Sequence, residues 1–346
     1  MRLSALDRAV QWSYYVNMIR RTNFRNSVPY VINYLKYKTS RKQEIVNSKN
    51  FTPQIAGLHL IKLCNLSCDF CSASRLLHDG RDGNWKGTKA DISKIKRIFG
   101  HPIFKNIFLV DLLGGEPLLV KELPEIVYYF SSTGRLTNMD TNGILLKRNI
   151  DNLISAGISS INISIYDENL KMLYRDLKHI NKIFGVSASL VLFRTKIKHD
   201  QDEIINLARF VHDAGCSSLR FYIYRPMDFN PNINDVVYEN DPDYSQLKSK
   251  LNSLFPGFVF WPKLIDNTDM KQQTCAQLWQ RIQVDMEGNL NLCCGSESKY
   301  ANLFSSKTSD VYNHEILKDM RKNFLDKSSN PSDICMTCNL LAEPGW

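Results

Sequence analysis

The chain has 346 residues, 43% of them hydrophobic and 23% charged, with 44 Lys and Arg against 35 Asp and Glu for a formal charge of +9. This composition is that of an ordinary folded protein and excludes a disordered or collagen-like chain. No apolar run approaches the roughly 20 residues needed to cross a bilayer, and the amino terminus lacks the apolar stretch of about 7 to 15 residues found in a secretory signal, so a cytoplasmic protein is expected.

The charge is concentrated at one end. Residues 1–49 hold ten Lys and Arg but only Asp7 and Glu44 of the acids, a net +8 that leaves +1 for the other 297 residues. A basic segment of that kind does not make a nucleic-acid-binding protein, and no nucleic acid is expected as a partner. Within the segment Ala5, Ala9, Trp12, Val16 and Ile19 recur at helical spacing. Asn26-Ser27-Val28-Pro29 then breaks the pattern before a second apolar run through Leu35. Two readings stand for this 1–56 region: a helical hairpin packed on the next domain, or a docking element for a membrane surface or other anionic partner.

From residue 57 the pattern becomes short apolar runs alternating with longer helical ones. Strands are expected at 57–63, 107–113, 136–141, 160–165, 187–193 and 218–224. Helices are expected at 92–99, 121–130, 149–156, 170–184 and 202–214. Six strands separated by five helices imply an α/β fold with a parallel sheet, because parallel neighbours need a crossover. An incomplete or complete barrel suits that order, and its active site would lie in the loops at the strands' carboxyl ends. After Arg225-Pro226 the alternation ends in a polar stretch rich in Asn, Asp and Pro, which divides a domain at 57–226 from one at 227–346.

The nine cysteines mostly cluster. Cys64, Cys68 and Cys71 form C-x3-C-x2-C directly after the first strand; Cys275, Cys293, Cys294, Cys335 and Cys338 lie beyond the boundary; Cys216 stands alone, as a buried structural thiol would. In a reducing compartment such groups point to metal ligands rather than disulfides. Three thiolates on a [4Fe-4S] cluster leave one iron open to an outside ligand, whereas a structural zinc site would need a fourth protein ligand at a typical spacing.

The triplet, with Phe70 before its last cysteine, resembles that of the radical S-adenosylmethionine (SAM) superfamily. Gly114-Gly115-Glu116-Pro117 after the second strand resembles the family's GGEP motif. The resemblance implies a partial (β/α)6 barrel, a [4Fe-4S] cluster on Cys64, Cys68 and Cys71, and SAM on the open iron. Reductive cleavage of SAM would give a 5′-deoxyadenosyl radical that takes a hydrogen atom from substrate. It also implies SAM contacts from Phe70 near the adenine, from Gly114, Gly115 and Glu116 at the ammonium, from Asn142 of Thr141-Asn142-Gly143, from Ser164 on the fourth strand and from Arg175 at the carboxylate. Tyr166-Asp167 replaces a frequent aspartate-glycine pair, which puts the Arg175 register in doubt. An external electron donor such as flavodoxin or ferredoxin is implied as partner.

Cys275, Gly288 and Cys293 fall in a C-x12-G-x4-C pattern, followed by Cys335 and Cys338. The pattern resembles the twitch and SPASM extensions, which implies an auxiliary [4Fe-4S] cluster on Cys275, Cys293, Cys335 and Cys338; a zinc knuckle on the same four remains open. Cys294 is left over, and in resemblance to radical SAM epimerases it would donate a hydrogen atom. The function expected is a radical SAM oxidoreductase that dehydrogenates a small polar or sugar-like molecule. Epimerisation, modification of a ribosomal peptide, and a non-catalytic metal-stabilised binding module stand as alternatives.

Overall fold

A computed structural model describes residues 53–71, 90–225, 232–268, 275, 277–293, 299–305, 311 and 313–325. The expected amino-terminal helices, Pro226, Cys294, Cys335 and Cys338 lie outside the described residues. Six expected strands are present: β1 (Ile55–Ile61), β2 (Leu109–Gly114), β3 (Leu136–Thr141), β4 (Ser160–Ser164), β5 (Ser187–Leu192) and β6 (Leu219–Ile223). Between them run α1 (Ile92–Phe99), α2 (Leu123–Ser132), α3 (Leu146–Ala156), α4 (Asp167–Ile183), α5 (Arg194–His199) and α6 (Gln201–Asp213). All six strands pair in parallel in chain order, giving the open α/β partial barrel.

The sheet does not stop at residue 226. Helix α7 (Pro242–Leu254) leads to the short β7 (Val259–Phe260), which pairs in parallel with β6. Helix α8 (Gln277–Gln280) leads to β8 (Arg281–Asp285), which pairs in parallel with β1 on its other side. Strands β9 (Asn289–Asn291) and β10 (Lys299–Asn302) then add an antiparallel edge, so ten strands form one sheet in the order β10-β9-β8-β1-β2-β3-β4-β5-β6-β7. Helix α9 (Glu315–Leu325) follows. A two-residue strand and a strand preceded by a four-residue helix are too short to register as periodicity, which is why the alternation legible in the sequence ends at β6.

Alternation along each strand sorts its two faces. Ala56, Leu58 and Leu60 of β1, Val110 and Leu112 of β2, Met139 of β3 and Ile161 and Ile163 of β4 pack into one apolar core with Phe104, Ile126, Val127 and Phe130. The opposite, interior face presents Gly57, His59, Asp111, Asp140, Asn162 and Gln283. Helices keep the core dry while the interior face is polar. Among the described residues no helix is long and apolar enough to cross a membrane.

Strand β1 joins the two halves of the sheet, and Leu58 at its centre is fully buried. Leu58→Ala is expected to lower stability by about 2–5 kcal/mol, read as a fall in the urea midpoint without a change in slope.

Candidate active site

The site grows from the carboxyl ends of β1 to β4. Beyond the strands, the Gly115 amide donates to Ile61 O at 2.7 Å and the Glu116 amide to Leu63 O at 2.8 Å, so the GGEP segment stays zipped to the chain entering Cys64. Side chains have no room there. A Cβ on Gly114 would lie 2.2 Å from Ile61 O and one on Gly115 would lie 2.1 Å from Leu63 O; Gly114 also has φ +140°. The two glycines are what allow the second strand's loop to lie against the cysteine loop.

Glu116, 1% exposed, then ties in the third strand. Its Oε1 accepts from the Thr141 hydroxyl at 2.6 Å and the Leu118 amide at 3.0 Å, and its Oε2 accepts from the Asn142 amide at 2.8 Å. Burial raises its pKa, and these three donors oppose the rise. The carboxylate thus clamps Thr141-Asn142 beside the cysteine loop and keeps capacity for one further donor, on Oε2. Asn142 completes the contact: its Nδ2 donates to Asn65 Oδ1 at 2.7 Å and lies 3.9 Å from Cys64 Sγ.

Two residues with no motif of their own belong to this network. Asn169, in the first turn of α4 and fully buried, donates to Asn142 O at 2.7 Å and Ser164 O at 2.8 Å. Its Oδ1 accepts from the Tyr166 amide at 2.8 Å, so it binds the ends of β3 and β4 together. Tyr166 packs on Phe70 with ring centroids 5.7 Å apart, and Phe193 meets the same ring at 5.4 Å. The available sequence signal was an Asn three residues after Tyr166 at a helix start, where its side chain competes for backbone bonds.

Ser164 lies with these groups, its Oγ 3.4 Å from Ser189 Oγ. Arg175 does not: its side chain is 69% exposed and pairs with Asp176 at 3.0 Å, and Asp176 also holds Lys147 at 2.8 Å. The doubt raised by Tyr166-Asp167 is thus matched by an arginine turned to solvent. Cys64, Cys68 and Cys71 stand at the mouth of this group. Burial, with the Glu168, Cys71 and Cys64 charges adding, pushes the Cys68 thiol up to about 12, and burial also raises Cys64. Three thiols on one short loop are the donor type and number that the implied cluster takes from a protein when one iron is left open.

Of the distal cysteines, Cys275 and Cys293 are described, and they sit at the other end. Gly57 pairs with Gln283, and Gln283 pairs with Asn291 of the returning β9, so Cys293, two residues on, is carried back toward the level of Ile55. Cys275 lies just ahead of α8, at the amino end of β8, against Leu278, Trp279, Leu317 and Met320. The turn between β8 and β9 requires Gly288, at φ +78°, where a Cβ would lie 2.7 Å from the Phe304 ring. Cys64 leaves the carboxyl end of β1, so the interior face, about 20 Å long over the seven residues of β1, runs from Cys64 toward the level of Cys275 and Cys293.

The family model of the Radical SAM superfamily matches residues 58–228, a span that runs from the middle of β1 through β6 and contains the cysteine triplet, the glycine cradle, Asn142 and Ser164. Those residues are a radical SAM domain. The chain is 27% identical over 319 residues to GTP 3′,8-cyclase of Aquifex aeolicus (strain VF5), covering 80% of this chain and 91% of that one. It is 26% identical over 213 residues to the mitochondrial GTP 3′,8-cyclase of Arabidopsis thaliana, covering 58% of this chain and 52% of the relative, so it spans about half that protein's length. In fold it is similar to Streptococcus suis SuiB bound to S-adenosylmethionine, with a TM-score of 0.61 at 16% identity over 85% of this chain and 74% of that one.

In a radical SAM enzyme the cluster and SAM supply the radical. The chain's own residues hold the cysteine loop, the GGEP turn and the Thr141-Asn142 turn in one register around it. Glu116→Gln puts an amide NH2 opposite backbone donors. It is expected to cut 5′-deoxyadenosine formation about tenfold or more, the worth of one hydrogen bond to a charged group, with iron content retained by chemical assay. Asp140 gives a pH signature. Its removal from water and the Asp111 charge raise its pKa to about 6, against the Asn162 hydrogen bond and the charges of Arg220 and Arg281. A folded pKa above the unfolded value means its stabilising contribution is complete below about pH 4 and is lost as pH rises through 6. Asp140→Asn should flatten the denaturant-midpoint profile across that window.

Proposed function

We propose that this chain is a radical SAM oxidoreductase that removes a hydrogen atom from a small, polar, hydroxyl-bearing substrate and passes the remaining electron to an auxiliary [4Fe-4S] cluster on Cys275, Cys293, Cys335 and Cys338. The observation that carries the reading is the opposition of the two cysteine groups. The triplet leaves the carboxyl end of β1, Cys275 and Cys293 lie at the amino end of the neighbouring β8 and β9, and the polar interior face runs between them. A substrate on that face has a radical source at one end and an electron acceptor at the other.

The step balances. The 5′-deoxyadenosyl radical takes one hydrogen atom from a carbinol carbon and becomes 5′-deoxyadenosine. The resulting carbon radical loses its hydroxyl proton to solvent and one electron to the auxiliary cluster, leaving a carbonyl. An external donor of the flavodoxin or ferredoxin type supplies the electron that opens each cycle. Residues 227–346 act in this reading as the auxiliary-cluster region and residues 1–49 as a docking segment for an anionic surface. Cys294 serves in the redox-neutral alternative, as hydrogen-atom donor of an epimerase.

A second reading has its own support in the 27% identity to Aquifex GTP 3′,8-cyclase across 91% of that protein: radical-initiated cyclisation of a nucleotide, with no net oxidation of substrate. One assay separates the two. Under the oxidoreductase reading, anaerobically reconstituted protein does not convert GTP, and it holds about eight iron atoms, which fall to about four in the Cys64→Ala/Cys68→Ala/Cys71→Ala variant. About four iron atoms falling to none would remove the electron acceptor and with it the oxidation. Conversion of GTP would establish the cyclase reading instead.

A further inference from the structure

The interior face of the sheet holds a group of side chains that neither the cluster loop nor the glycine cradle uses. Arg281 of β8 and Asp111 of β2 lie on opposite sides of β1, yet they meet at 2.6 Å. They do so across Gly57, which has no side chain to separate them and which pairs in register with both Asp111 and Gln283. The space is fully used: a Cβ on Gly57 would lie 1.9 Å from Gln283 Oε1. Gln283, 1% exposed, holds His59 through Oε1 at 3.2 Å, whereas its Nε2 has no hydrogen-bond partner among the described residues. A buried amide NH2 left unmade costs about 1–3 kcal/mol, so a donor in this position is there for an acceptor that arrives later.

Across the face, Asn162 donates to Asp140 Oδ1 at 2.8 Å and to Ser189 Oγ at 2.9 Å. The cations here are already matched. Arg281 is paired with Asp111, and Arg220 lies 5.6 Å over the Phe260 ring and within electrostatic reach of Asp140. A face whose charges cancel, and whose reach is otherwise hydroxyl, amide and imidazole, suits a ligand that offers several hydroxyl donors and acceptors and no net charge.

We propose that the interior face built by His59, Asp111, Arg281, Gln283, Asp140 and Asn162 is the substrate-recognition surface, and that it takes a neutral polyhydroxylated ring of the sugar or cyclitol class, one hydroxyl oxygen accepting from Gln283 Nε2. The inference rests on the radical SAM reading and names the substrate class for it. Gln283 lies outside the span that matches the family model, on the strand that closes onto β1, so it is a specificity residue supplied by this chain's carboxy-terminal part.

The test uses the full-length, anaerobically reconstituted protein with SAM and dithionite, and measures 5′-deoxyadenosine with glucose, myo-inositol or glucose 6-phosphate added. The expected result is a saturable rise with glucose or myo-inositol and none with glucose 6-phosphate. Gln283→Met should raise the half-saturating concentration about tenfold, the loss of one well-made hydrogen bond to substrate, and because it also removes the Oε1 acceptor that holds His59, its melting temperature is expected to fall modestly. No rise with either neutral ring, or an equal rise with the phosphorylated sugar, overturns the inference. So does a Gln283→Met protein with unaltered half-saturation, whatever its melting temperature, which would make the amide structural. The two levels stay apart: 5′-deoxyadenosine absent under every condition defeats the radical SAM reading itself, and its formation without a sugar response defeats only this proposal.

Discussion

One buried carboxylate holds the candidate site together. Glu116 takes donors from its own turn and from the third strand at once, and the Gly115 and Glu116 amides are zipped to the backbone leading into Cys64. Three loops from three strands are thereby fixed to one another by short, enclosed hydrogen bonds. In water such bonds would contribute little; inside the protein, an unmade partner is the expensive state, so the arrangement is all-or-none. Asn142 and Asn169 extend the same logic to the fourth strand. The loops bearing the chemistry are positioned by strands that are themselves anchored in a continuous apolar core.

Strand direction then sets the rest. Parallel pairing from β1 to β6 sends every following loop to one end of the sheet, and the antiparallel return of β9 after β8 sends Cys293 to the other. The chain needs a tight reversal to do this, and Asp285 and Gly288 make it: Asp285 Oδ1 accepts from the Glu287 amide at 3.0 Å and the Asn289 amide at 2.9 Å while Gly288 takes the left-handed turn position. The spacing of Cys275, Gly288 and Cys293 is thus in part a record of a hairpin, with the glycine serving backbone geometry and the cysteines carried to the hairpin's base.

Much of this was legible in the sequence because it rests on local rules. Apolar periodicity fixed the six strands and five of the six helices between them to within a few residues, since each buries one face in the core; the six-residue α5 was not expected. The triplet, the double glycine and Asn142 were legible because close backbone approach and metal ligation demand particular residue types at short spacings. What escaped was set by tertiary pairing. β7 is too short to show a period, and β8 gives no sign that it will dock beside β1. Asn169 and Gln283 matter only for what the fold brings opposite them. Arg175 shows the reverse failure: a position inferred by analogy that Asp176 draws to the surface.

The central claim is that Cys64, Cys68 and Cys71 hold a cluster with one iron open to SAM, facing the polar interior of the sheet. Electron paramagnetic resonance of the dithionite-reduced, reconstituted protein tests it most directly. A [4Fe-4S]+ signal that changes on addition of SAM in the wild type, and a residual signal that ignores SAM in the Cys64→Ala/Cys68→Ala/Cys71→Ala variant, is the predicted result. A wild-type signal indifferent to SAM, or one still responsive in the triple variant, would contradict the account.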